Sequence, residues 1–370
     1  MKILILSCNT GQGHNSAAEA LRDVFHHGGD QCEIEDALSY ISPLASDLVS
    51  KGHVWLYRNW PWLFGKGYSA LDHHPSAMAE GKMAYRFFAI GAQQLHEKCV
   101  QGGYDAIICT HVFSGLMLTE ALKTPGITAG TYFVSTDYTC SPGTLESGLD
   151  CYFIPHAELA DELPGKTVVA SGIPIRQSFF SRMDKQEAKR RVGVGEEQKH
   201  LLLMCGSMGC GPMVETARLL GLNKPEDSEL SIVCGSNQKL YDELYELFSL
   251  DGSVHLYGYT DQVSTLMDSA DVFLTKPGGI STTEAMAKTL PMVLIDAVAG
   301  CETYNMNFFA RLGGGKPACG PDEVCRVCLE ILNDDATREQ MAVCLRENCT
   351  NAAQIICGKV REDCTAGCPA

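Results

Sequence analysis

The sequence predicts an α/β protein of two doubly wound, parallel-sheet domains facing each other across a cleft. Short apolar runs alternate with amphipathic stretches of helical period from end to end, the pattern of parallel strands covered by helices on both faces. Three of those runs end in glycine-rich turns that open directly into helical stretches. The length, 370 residues, suffices for two cores of ordinary size.

In the first half the strand candidates are KILILS (2–7), CEIED (32–36), DAIICT (105–110), AGTYFVS (129–135), CYFIP (151–155) and TVVAS (167–171). A joint is expected in SGIPIRQSF (171–179), where Pro174 forbids continuation of the strand and the charged helix KQEAKRRVG follows. The second half offers HLLLMCG (200–206), LSIVCG (230–235), SVHLYGY (253–259), VFLTK (272–276) and MVLID (292–296). The expected limits are 1–172 for the first domain, 173–340 for the second, and 341–370 for a helical segment crossing back toward the first. Such domains bind ligands at the carboxyl ends of their strands, so the chemistry is expected in the cleft.

Composition narrows the function. A formal charge of −16 argues against a nucleic-acid partner, whose backbone demands a basic face. The stretch MKILILSCN lacks the long apolar region and cleavage site of a signal peptide, and a cytoplasmic protein is expected. Many of the 18 cysteines sit inside apolar strand runs, where thiols act as small hydrophobes and stay reduced. The pair in CRVC (Cys325, Cys328) lies in a helical stretch, the pair in CTAGC (Cys364, Cys368) has a three-residue gap, and no histidine follows. The expected metal is therefore none.

The first turn, NTGQGHNS, departs from the dinucleotide fingerprint because Ser16 stands where the third glycine would fall, and it has no P-loop lysine. Gly11 and Gly13 are expected to let the backbone turn tightly and approach a ligand. His14 lands in the first helical turn, where the positive end of the dipole disfavours protonation, and a neutral imidazole there can take a proton from a hydroxyl. The other reading of His14 is a helix cap. The second turn, CGSMGCGPM (205–213), suits a pyrophosphate. In the third, TKPGGISTTEAMAKTLP, Gly278 and Gly279 clear space and Ser281 can cap the helix. Glu284, one turn in, either binds ribose hydroxyls or closes a capping box with Ser281.

The segments TGQGHNSAAEAL, GSMGCGP, SGIPI and TKPGGISTTEAMAKTLPMVLIDAVAGCETYN together resemble the glycosyltransferase family of plant monogalactosyldiacylglycerol synthase and the bacterial processive diacylglycerol glucosyltransferases, with the peptidoglycan GlcNAc transferase as a more distant relative. The resemblance runs from the first strand to the helix after Asn305. It implies a GT-B fold of two Rossmann-like domains, with the UDP-sugar in the second and the acceptor in the first. It also implies that Gly206, Ser207, Met208 and Gly209 embrace the diphosphate, that Gly278, Gly279, Ser281, Thr282 and Glu284 hold the nucleotide, and that Gly300, Glu302 and Asn305 read the donor sugar. Cys301 stands where the family has glutamine, and a thiol is a poor hydrogen-bonding partner, so the choice of sugar is affected.

The resemblance further implies inversion in a single displacement, UDP-glucose or UDP-galactose as donor, no cofactor, and His14 as base near a diacylglycerol or glycolipid acceptor. Asp137, after a strand end in VSTDYTCSP, is the competing base or an ordinary turn carboxylate, and His111 reads as structural. Trp55, Trp60 and Trp62 fall in one aromatic stretch, and from Lys51 to Arg86 positive side chains outnumber negative ones. That combination suits peripheral attachment to an anionic membrane at the inner face, or else a helix burying its aromatics on its own sheet. The alternatives are a UDP-GlcNAc 2-epimerase-like enzyme of the same fold and a non-catalytic sensor of nucleotide sugars.

Overall fold

The computed structural model describes residues 1–9, 11–42, 78–207, 209, 211–297 and 300–366. The aromatic stretch with Trp55, Trp60 and Trp62 lies outside the described residues, as does Met208. Two compact units are present, one of residues 1–176 with 298–301 and 350–370, the other of 177–297 with 302–349. The division after Arg176 falls a few residues beyond the proline-bearing joint expected at 172/173. The returning segment begins at Thr350, not at residue 341.

The first unit holds a six-stranded parallel sheet of β1 (Lys2–Ser7), β2 (Gln31–Asp36), β3 (Ala106–Cys109), β4 (Gly130–Val134), β5 (Cys151–Ile154) and β6 (Val168–Ala170). Their order across the sheet is β2-β1-β3-β4-β5-β6. Its helices are α1 (Gln12–His27), α2 (Met83–Ala89), α3 (Ala92–Gly102), α4 (Val112–Ala121) and, from the chain's end, α13 (Ala352–Ala366). Strand alternation sorts β1 between two cores: Leu4 and Leu6 face α3 and α4 with Ile107 and Cys109, while Ile3 and Ile5 face α1 with Ile108. On that second face α13 lays Ala353, Ile356, Cys357 and Val360 against Leu21 and Phe25 of α1. Arg361 stacks over the Phe25 ring and pairs with Asp30 at 2.8 Å.

The second unit repeats the plan. It contains α5 (Lys185–Val192), β7 (Lys199–Met204), α6 (Met213–Asn223), β8 (Ser228–Val233), α7 (Gln238–Phe248), β9 (Val254–Tyr257), α8 (Val263–Ser269) and β10 (Val272–Thr275). It continues through α9 (Gly279–Lys288), β11 (Met292–Ile295), α10 (Cys301–Leu312), β12 (Gly315–Ala318), α11 (Pro321–Leu332) and α12 (Asp335–Asn348). The parallel order β12-β11-β10-β7-β8-β9 is that of a dinucleotide-binding fold, reversing direction between β7 and β10. In the first unit the reversal lies between β1 and β3. These two switch points are where such sheets leave a crevice for ligand. None of the described cysteines is disulfide-bonded; Cys325 and Cys328 are buried in α11, where burial pushes both thiols up.

Candidate functional site

In the first unit the side chains at the switch point converge on His14. β1 delivers the chain to α1, and His14 is its third residue, half-buried. Its Nδ1 lies 2.9 Å from the carbonyl oxygen of Thr110, just past β3, and 2.9 Å from Oγ1 of Thr136, just past β4. A carbonyl can only accept, so Nδ1 carries the hydrogen and Nε2 is the basic nitrogen. A proton taken at Nε2 would make a cation already held at Nδ1 by two oxygens. The structure does not use His14 as a cap: the helix begins after Gly11, with no side-chain cap.

His111 packs edge-on against His14, ring centroids 4.4 Å apart. It is the N-cap of α4, with Nδ1 accepting from the Phe113 amide at 3.0 Å. This is the structural role that the sequence suggested. Asp137 follows Thr136 by one residue and is half-buried. The turn is braced by Ser7, Asn15, Asn9 and Asp36, which hydrogen-bond in series at 2.6 to 3.0 Å. Gly11 departs from expectation: its φ of −177° is extended backbone open to any residue, so no tight turn depends on it. A Cβ there would meet nothing within 4 Å, which leaves room beside the helix end.

In the second unit the two glycine turns flank the other switch point, one after β7 and one after β10. Gly206 (φ 70°) and Gly209 (φ 54°) take left-handed conformations that favour glycine. At Gly209 a Cβ would lie 2.4 Å from the Cys234 carbonyl oxygen, whereas at Gly206 and Gly278 it would meet nothing within 4 Å. The last two glycines therefore border open space. The loop after β8 braces the first turn: Ser236 N donates to the Ser207 carbonyl at 2.8 Å, and Asn237 Nδ2 donates to the Gly209 carbonyl at 3.0 Å. Asn237 also caps α7 through the Leu240 amide. Sequence reasoning missed this residue, although an asparagine after a strand and glycine turn, heading a helix, is a capping signal.

The third turn corrects two expectations. α9 starts at Gly279 with Gly278 as N-cap and no side-chain cap, so Ser281 lies inside the first turn and does not cap the helix. The capping box with Glu284 is not formed in that register. Thr282 is fully buried and donates to the Gly278 carbonyl at 2.8 Å, a contact within the helix end rather than at an exposed surface. Asn305 is likewise fully buried, and its Nδ2 donates to the Pro277 carbonyl at 2.9 Å. It positions the PGG turn from beneath. Glu284 is buried too. Gly300 (φ 112°) leads into α10, whose first turn carries Cys301 and Glu302. Glu302 Oε2 stands 3.8 Å from Nζ of Lys276. Among the described residues no cluster of histidine, cysteine and carboxylate side chains is arranged to hold a metal ion.

The starts of α6 and α9 present the positive ends of their helix dipoles, which favour an anion beside them. The second unit can thus receive a diphosphate, and the first presents a base of fixed tautomer.

Comparison with known proteins follows the same division. Residues 14–175 match the family model for monogalactosyldiacylglycerol (MGDG) synthase, and residues 215–343 match that for glycosyl transferases group 1. Proteins named processive diacylglycerol beta-glucosyltransferase from Bacillus cytotoxicus and Bacillus cereus are each 26% identical over 363 residues, covering 92% of this chain and 88% of theirs. The crystal structure of MurG from Acinetobacter baumannii superposes with a TM-score of 0.64 at 14% identity, covering 97% of this chain and 99% of that one. The resemblance read from the motifs is thereby shown: the chain has the GT-B fold, is similar over nearly its whole length to processive diacylglycerol glucosyltransferases, and matches the monogalactosyldiacylglycerol synthase model in its first unit.

Proposed function

We propose that the protein is an inverting glycosyltransferase that moves a hexose from a UDP-sugar to a diacylglycerol-type lipid. The observation that carries this reading is the fixed tautomer of His14, whose Nδ1 is committed to the Thr110 carbonyl at 2.9 Å. The acceptor hydroxyl gives its proton to Nε2 as its oxygen attacks the anomeric carbon, and the bond from that carbon to the UDP oxygen breaks in the same step. Asp137 is the competing base. In the second unit Ser207 and the glycine turns at 206–209 and 278–279 take the diphosphate. Ser281 and Glu284 lie at the nucleotide, while Gly300 and Glu302 lie at the sugar. Thr282 and Asn305 act by holding the PGG turn in shape. No cofactor is assigned, because departure of UDP is met by helix dipoles and backbone amides.

A lipid acceptor requires the enzyme to work at a membrane surface, here assigned to the cytoplasmic face. Among the described residues no helix is long and apolar enough to cross a bilayer. Helix α2 supports surface attachment: Tyr85 and Phe88 are buried, while Met83, Phe87 and Ile90 are exposed beside the cations Lys82 and Arg86. An apolar stripe rimmed by positive charge suits an anionic interface. The match to the MGDG synthase model, which begins at His14 itself, speaks for transfer over 2-epimerisation.

The test is turnover of UDP-glucose and of UDP-galactose by the full chain with diacylglycerol in anionic phospholipid vesicles. The reading expects glycosylated lipid from one of them. UDP binding without any lipid product would favour a nucleotide-sugar sensor instead.

A further inference from the structure

In the first unit a row of rings leads from α2 through α4 back to His14. Phe87 of α2 is 38% exposed and lies edge-on to Phe88, with ring centroids 5.2 Å apart. Phe88 is buried and stacks on Phe113 of α4 at 3.8 Å. Phe113 is half-buried and meets His111 at 4.4 Å, and His111 meets His14 at the same separation. Every ring is thus within stacking or edge-to-face reach of the next. The outer end opens on the exposed side chains of Met83 and Ile90, between the cations Lys82 and Arg86. Phe88 and Phe113 belong to one core with Leu116 and Met117, which accounts for the middle of the row. It does not account for Phe87, Phe113, His111 and His14 each keeping part of their surface outside that core. The Nδ1 of His111 accepts from the Phe113 amide and so carries no proton. That imidazole is therefore uncharged, and an apolar chain can lie against it.

We propose that this row seats one acyl chain of the lipid acceptor, from the apolar stripe of α2 across Phe113 to His14, and that Phe113 sets a preference for long-chain acceptors. The assignment rests on the lipid-acceptor reading above and adds to it the route by which the lipid reaches the base. In a glycerolipid the hydroxyl to be glycosylated lies close to the ester that begins the acyl chain. A chain laid along the rings with its ester end inward therefore brings that hydroxyl to His14. Methylenes drawn out of a bilayer into water are costly, and the rings spare that cost by covering them. Contacts remote from the reacting oxygen then hold it in place for attack. Lys82 and Arg86 at the outer end suit an anionic surface, from which such a lipid would enter.

The experiment is photolabelling of the full chain, in anionic phospholipid vesicles, by diacylglycerol that carries a diazirine near the ester end of one acyl chain. Labelled peptides are read by mass spectrometry, with transfer rates measured alongside. Label is expected on Phe113 as well as on α2. Label on α2 without Phe113 would place the acyl chains in the bilayer throughout and overturn the route, whether or not lipid is glycosylated. Label on Phe113 with no transfer from any UDP-sugar would leave the route standing and remove the transferase reading. Phe113→Ala should lower kcat/KM for dioleoylglycerol about 10- to 100-fold, the range for losing burial against an aromatic side chain, and lower it much less for water-soluble dibutanoylglycerol. Equal losses for the two acceptors would make Phe113 a brace for His111 and overturn its role. Should Phe113→Ala not fold, Phe87→Ser at the exposed end, read by the same ratio of acceptors, decides in the same way.

Discussion

At His14 the chemistry is set by which nitrogen is already engaged. The Thr110 carbonyl holds the hydrogen on Nδ1, and the Thr136 hydroxyl, also 2.9 Å away, is a second acceptor for it. Both oxygens would favour the imidazolium formed if His14 takes the acceptor's proton. Thr136→Val should therefore lower transfer roughly three- to tenfold, the worth of one hydrogen bond. It should also move the acid limb of the pH–rate profile to lower pH, because a less stabilised imidazolium loses its proton more readily. A profile that moves upward or stays in place would assign Thr136 to packing. The sequence disclosed His14 because a glycine-rich turn after an apolar strand leads to it. It could not disclose Thr110 or Thr136, which lie 96 and 122 residues away and meet His14 only because β3 and β4 are its neighbours in the sheet. The same limit applies at Asn305 and Thr282, where a motif marks importance but not whether the side chain faces a ligand or holds the loop.

Among the elements, the helix that returns from the chain's end bears most directly on the site. α13 packs Ile356 and Val360, both fully buried, against the helix that carries His14. Ile356→Ala should cost about 2–5 kcal/mol, as for other large aliphatic side chains removed from a core. If α13 sets the seat of α1, transfer should fall before global unfolding is reached. Denaturant titration followed in parallel by activity checks this, and activity lost only with the fold would contradict it. All eleven strand candidates read from the sequence are strands in the structure, from the apolar ILIL of β1 to CEIED, where acidic residues interrupt the run. β12 was not among them, because its sequence GKPA has no apolar run and exposes Lys316 and Pro317. A proline is tolerated there because the strand is at the sheet's edge and has one neighbour.

At the scale of the whole molecule, stability in acid should be governed partly by His200. This residue is buried in the second unit between Ser231 and Ser269, at 2.8 and 3.0 Å, and burial lowers its pKa to about 4. The unfolded chain takes up a proton near the ordinary value of 6.5, while the folded protein does not until about 4. The stability it contributes is thus whole above pH 6.5 and falls as pH drops through that window, at up to about 1.4 kcal/mol per pH unit. Denaturant midpoints between pH 7 and 4.5 should show this slope, and His200→Gln should flatten it. An equal slope in the variant would place the acid lability elsewhere. The two-unit plan itself was legible because the alternation of strand and helix repeats after Pro174, as was the order of the motifs along it. If His14 is the base for the acceptor hydroxyl, its loss separates turnover from donor binding. Lipid glycosylation and UDP affinity are measured side by side for wild type and His14→Ala. Transfer by His14→Ala should be reduced about 100-fold or more, the range for general base catalysis, with UDP affinity unchanged. Undiminished transfer by His14→Ala would contradict that role.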